Sequence, residues 1–112
     1  MANFVEFKAG NEEYKLRLGM SDILSLENKL GGNPMSVFGT GDTVPEFKTM
    51  IDVLHASLQK FHHGVTWEKA SEILEKWIDE ENCMNDFIFV IFEIYKVSGI
   101  IPRDFDIDME KN

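Results

Sequence analysis

Residues 84–98 read as a helix with almost no polar face. Met84, Phe87, Ile88, Ile91, Ile94 and Tyr95 recur at helical spacing along one stripe, and Phe89, Phe92 and Val97 lie off it. The polar strip shrinks to Asn85, Asp86, Glu93 and Lys96, with Phe89 in its middle. A helix apolar nearly all round is either central in its fold or pressed against another chain. Either way, the rest of this sequence must be organised around it. Phe89, Phe92 and Val97 are the candidate contacts with a partner or a second copy, and Gly99 is the expected C-terminal stop.

The preceding segments supply three more helices and a hairpin. Residues 4–18 alternate, with Val5 and Phe7 on one face of the first strand and Tyr14, Leu16 and Leu18 on one face of the second. Gly10-Asn11 suits a two-residue turn, where glycine takes the positive φ. A lone hairpin is marginal in water and must pack on something. Ser21 is the expected N-cap of a helix over about 21–30, carrying Ile23, Leu24, Leu26 and Leu30 and ended by Gly31-Gly32. Asn33-Pro34 suits a short helical turn through Phe38, followed by a loop over 38–42.

Thr43 and Glu46 have capping-box spacing ahead of a helix over about 45–62. Its stripe of Phe47, Met50, Ile51, Leu54, Leu58 and Phe61 falls within about 60° of Leu54 at helical periodicity. Gly64 stops that helix, and Thr66 caps the next, about 67–80, whose inner face is Ala70, Ile73, Leu74, Trp77 and Ile78. Residues 1–99 thus form one α+β domain, a hairpin packed on about four helices. Residues 100–112 read as an extended or disordered acidic tail.

The 112 residues are globular in composition, 44% hydrophobic and 28% charged. Twenty acidic residues against eleven basic ones give a net charge of −9, the wrong sign for neutralising phosphates. Direct nucleic-acid binding is not expected. The N-terminus lacks the basic flank and long apolar run of a signal peptide. The longest apolar run, Phe87 to Phe92, is far short of the roughly 20 residues of a membrane span. A single cysteine, Cys83, excludes an internal disulfide and suits a reducing cytoplasm.

All three histidines fall in Leu54-His55-Ala56-Ser57-Leu58-Gln59-Lys60-Phe61-His62-His63-Gly64, which invites a metal or catalytic reading. The spacing opposes it. His55 and His62 are two helical turns apart, about 10 Å along the axis, whereas helical zinc ligands sit within one turn. His63 points to the opposite side, so boundary histidines near a helix C-terminus are expected. Cys83 reads as an inert, buried or half-buried cysteine, and Ser57 lacks the glycines of a nucleophile elbow. Asp104, Asp106 and Asp108 fail as a calcium loop because Met109 stands where glycine is needed. Instead, Phe105 and Ile107 alternate with these carboxylates at strand period, suggesting an arm that pairs with an edge strand of its own or a neighbouring chain. Trp67 and Trp77 follow helical spacing and read as packing residues. Glu68, Glu72, Glu75 and Asp79 form the solvated face of the same helix. No catalytic residue, metal ligand or cofactor site is expected.

Four segments resemble the tail assembly chaperones of long-tailed phages and prophages of Gram-positive bacteria. They are Glu13-Tyr14-Lys15-Leu16-Arg17-Leu18, Leu26-Glu27-Asn28-Lys29-Leu30-Gly31-Gly32-Asn33-Pro34, the histidine-rich stretch with Val65-Thr66, and Phe92-Glu93-Ile94-Tyr95-Lys96-Val97-Ser98-Gly99. The resemblance implies a non-enzymatic role in the bacterial cytoplasm: coating the tape-measure protein, helping to bring tail-tube subunits, and leaving before the virion matures. It also implies a longer product made by frameshifting in many members. A homo-oligomer is compatible with this role. A different class, a small acidic regulator such as a DNA mimic or antitoxin, would use the carboxylate row on helix 67–80.

Overall fold

The computed structural model describes residues 3–38 and 45–104. Thr43, the loop beyond Phe38 and the alternating residues Phe105 and Ile107 lie outside them. The α+β arrangement is the expected one, an antiparallel hairpin followed by four helices.

β1 (Val5–Ala9) and β2 (Glu12–Leu16) pair in the register Val5↔Leu16, Phe7↔Tyr14 and Ala9↔Glu12. Gly10 begins the turn at φ +65°, where a Cβ would be strained. Phe7, Ala9 and Leu16 are buried on one face. Phe7 meets Trp77 and Phe87 with ring centroids 5.7 and 5.9 Å apart, so the hairpin's inner face closes the helical core.

α1 spans Met20–Leu30 and begins one turn-edge earlier than Ser21 would place it. Gly19 is the N-cap, because the Asp22 carboxylate accepts the Gly19 N–H at 2.9 Å. Gly31 takes φ +76° and donates its N–H to the Glu27 carbonyl at 2.8 Å, ending the helix as expected. Leu26 is buried, but Leu24 is 54% exposed, since it sits on the outer flank of the helix rather than the core stripe. Pro34–Phe38 forms the short 3₁₀ turn.

α2 spans Phe47–Leu58 and stops four residues before the expected end. The cause is Gln59. Its amide donates to the His55 and Val65 carbonyls at 3.0 and 2.8 Å and accepts the Gly64 N–H at 3.0 Å. That side chain ties the segment after Leu58 into a turn. Phe61 is thereby removed from the stripe and is 41% exposed, and Phe47 at the other end is 60% exposed. Met50, Leu54 and Leu58 are buried as expected, but so are Asp52, Val53, Ala56 and Ser57. α2 touches α1, β2 and two later helices, so it is enclosed on several sides rather than along one stripe.

Those later helices are α3 (Trp67–Asp79) and α4 (Phe87–Ser98). Thr66 caps α3 through its Oγ1, which accepts the Lys69 N–H at 3.0 Å. Ala70, Ile73 and Leu74 are buried, and the carboxylates of Glu68, Glu72, Glu75 and Asp79 face outward. The apolar segment 84–98 divides into a 3₁₀ turn, Met84–Asp86, and α4 proper, which Gly99 ends at φ +81°. Phe87, Ile91, Ile94 and Tyr95 are almost fully buried in the core. Cys83 is exposed, against the expectation of burial, because it lies in the turn ahead of Met84 rather than on a packed helix.

Candidate interaction surface

The histidine-rich stretch does structural work at the edge of the hairpin. The Lys15 N–H points away from β1 and donates to His62 Nε2 at 2.9 Å. Two residues on, the Arg17 N–H donates to the Ser57 carbonyl at 2.9 Å. The end of α2 and the turn after it thus occupy donors along the outer edge of β2, which would otherwise be free to pair with another chain. The His62 ring meets Tyr14 edge-on at 5.3 Å, while Phe61 packs against Phe4 at 5.6 Å under the Lys15 ammonium. Glu6 and Glu13 join Tyr14, Lys15, Phe61 and His62 around a shallow cavity of about 280 Å³. His55 lines a different groove, with Asp52 and α1 residues, so the histidines do not converge. Among the described residues no group of His, Cys, Asp and Glu is arranged to hold a metal ion.

Burial and then the Lys15 charge hold the His62 imidazole below its ordinary pKa of 6.5. The neutral ring is the form that accepts the Lys15 N–H. This contact therefore contributes stability fully above about pH 6.5 and loses it as the pH falls through the lowered folded-state value. At neutral pH, His62→Gln is expected to cost about 0.5–1 kcal/mol. The gap between wild type and variant, read from urea unfolding midpoints, should close on acidification. A gap that stays constant or widens as the pH falls would contradict the contact's role.

Asp52 is a buried polar centre that the sequence pattern did not reveal. At 1% exposure, its carboxylate accepts the Trp67 indole N–H at 2.9 Å and pairs with Lys48 at 2.8 Å. It joins the middle of α2 to the first residue of α3. The available signals were Lys48 four residues earlier and Trp67, whose indole N–H needs an acceptor when its ring is packed.

The residues singled out for partner contact are distributed unevenly. Phe92 stacks on Phe38, with centroids 4.4 Å apart and planes 15° from parallel. Phe89 and Val97 are half-buried on α4. Among the described residues, the exposed large apolar side chains lie elsewhere: Met20 and Leu24 on α1, Met35 in the turn packed on α1, Phe47 at the start of α2, and Phe61. α1 and α2 run antiparallel, since Arg17 just before α1 bonds Ser57 near the end of α2. Met35 and Phe47 therefore lie toward the C-terminal end of α1, and Met20 at its start. No helix among the described residues is long and apolar enough to cross a membrane.

No curated protein and no solved structure matches the chain. A family model covers residues 4–109, nearly the whole sequence and every element of the fold. The chain belongs to that family, a family of unknown function designated DUF6096.

Proposed function

We propose that this protein is a non-enzymatic tail assembly chaperone that binds a phage tape-measure protein and helps recruit tail-tube subunits. One observation carries most of the support. The four segments that resemble such chaperones, scattered through the sequence, are hydrogen-bonded to one another. Residues 13–18 meet the histidine-rich stretch through Arg17–Ser57 and Lys15–His62. They meet the last helix through the Leu18 N–H and Ser98 Oγ at 2.9 Å. That helix reaches the 26–34 segment through the Tyr95 hydroxyl, which donates to the Pro34 carbonyl at 2.8 Å. The four segments thus lie together in one fold, and the functional reading itself rests on their sequence resemblance.

The surface is compatible with the role. A holder of a long helical partner needs exposed apolar side chains and enough like charge to stay soluble. Among the described residues five large apolar side chains are exposed, and the chain carries a net charge of −9. The test is co-expression with the longest coiled-coil-rich protein encoded beside this chain's gene. Recovery of that protein in soluble form, bound to this chain and absent without it, is the expected result. Failure to solubilise it, together with competition against DNA for a basic protein, would favour the acidic-regulator reading instead.

A further inference from the structure

Resting on the chaperone reading, we propose that the outward face of α1 is the seat for one amphipathic helix of the partner, a helix with basic residues beside its apolar stripe. α1 buries Leu26 and packs Ile23 and Leu30 on the core. On its opposite side, Met20, Ser21, Leu24, Ser25 and Asn28 are all exposed and span an arc of about 140° at helical periodicity. Met20 is 70% exposed. None of these five is charged, although 28% of the chain is Asp, Glu, Lys or Arg, and exposed Lys29 borders the arc beside Ser25. The outer face of α3 shows what this protein places on a face meant for water: Glu68, Glu72, Glu75 and Asp79. A face that is to be covered must avoid stranding ions away from solvent, and α1 meets that condition where α3 does not.

The same features select the occupant. A second copy would bring −9 against −9. It would also find too little surface, because an eleven-residue helix is about 16 Å long and a stable dimer buries roughly 800 Å² per partner. A single helix fits such a ridge, with apolar anchors every three or four residues set against Met20 and Leu24. Met35 and Phe47, toward the other end of α1, are also exposed. The chain's negative field favours basic flanks on that helix and disfavours acidic ones.

The test uses the full chain and fluorescent peptides tiling the tape-measure-type protein encoded beside its gene. Wild type should bind a subset of peptides that are amphipathic and basic, more weakly in high salt. Met20→Ser with Leu24→Ser should weaken that binding about tenfold or more, and Leu24→Arg should do the same by charge. All variants should keep the wild-type melting temperature, because both side chains already face water. If neither the intact partner nor any peptide binds wild type, the chaperone reading and the seat fall together. If binding survives the α1 variants, or is instead abolished by Phe89→Ser, only the seat is wrong. A wild-type dimer that the α1 variants turn into monomers would mark the face as a self-association surface and overturn the proposal.

Discussion

Tyr95→Ala is expected to lower the unfolding free energy by about 3–5 kcal/mol, a large share of what a domain of this size possesses. Tyr95 is fully buried on α4 and meets Phe38 edge-on at 5.7 Å. Its hydroxyl holds the Pro34 carbonyl at 2.8 Å, across 61 residues of sequence. Burial pushes the phenol pKa upward, so the hydroxyl keeps its proton and remains a donor. Truncation leaves a cavity at the centre and frees the 3₁₀ turn from the last helix. Tyr95→Phe separates the two effects. It preserves the ring and should cost only about 1–2 kcal/mol, the loss of one buried hydrogen bond. Urea unfolding of both variants measures the difference. Equal losses would mean that the hydroxyl rather than the ring dominates, contrary to the packing described.

Asp52→Ala should cost about 2–3 kcal/mol, the value of a buried hydrogen bond to a charged group plus the lost contacts. The carboxylate has two partners of unequal worth. Lys48 is 66% exposed, so its pairing is screened and Lys48→Ala should change stability by no more than about 0.5 kcal/mol. The Trp67 indole is the partner that matters, because the half-buried ring holds its N–H on the buried Asp52 carboxylate at 2.9 Å. Trp67→Phe should therefore cost about 1.5–3 kcal/mol and leave the buried carboxylate short of a donor. The double variant should lose less than the two single losses added together, with a coupling of about 1–2 kcal/mol. Strict additivity would show that the Asp52–Trp67 bond contributes nothing beyond separate packing.

The elements themselves were legible in the sequence to different degrees. The hairpin, the Thr66 cap and the Gly31 and Gly99 stops were readable because each depends on neighbouring residues: strand alternation, a hydroxyl three residues before an N–H, a positive φ that glycine accepts. The N-terminus of α1 was displaced because Asp22 serves Gly19, a bond that outcompetes the hydroxyl of Ser21 as a cap. The end of α2 was missed for a related reason. Helical periodicity carries through to Phe61, but a single glutamine side chain, bonded to three backbone groups, closes the turn first.

The surface was harder to read. A polar position such as Asp52 gives no sign of burial when a helix is enclosed on several sides, and a leucine such as Leu24 gives no sign of exposure. Phe92 lies off the stripe of α4, which suggested an outside contact, but Phe38 folds back from 54 residues away to stack on it. The spacing of the histidine-rich stretch separates His55 from His62, and the two line different cavities in the fold. The positive role of the stretch, His62 holding the Lys15 N–H, needed the hairpin to be in place.

What the sequence determined by itself were the local choices: a hairpin then helices, most of their caps and stops, an acidic chain, and a last helix too apolar to stand in water. These follow from short-range geometry and from the cost of exposing apolar surface. Only the tertiary structure decided which faces remain uncovered. Burial depends on every element packed nearby, and no periodicity within one helix reports whether a neighbour arrives to cover it. That is why α4 turned out to bury Phe87, Ile91, Ile94 and Tyr95 in the core, while α1 leaves Met20 and Leu24 open.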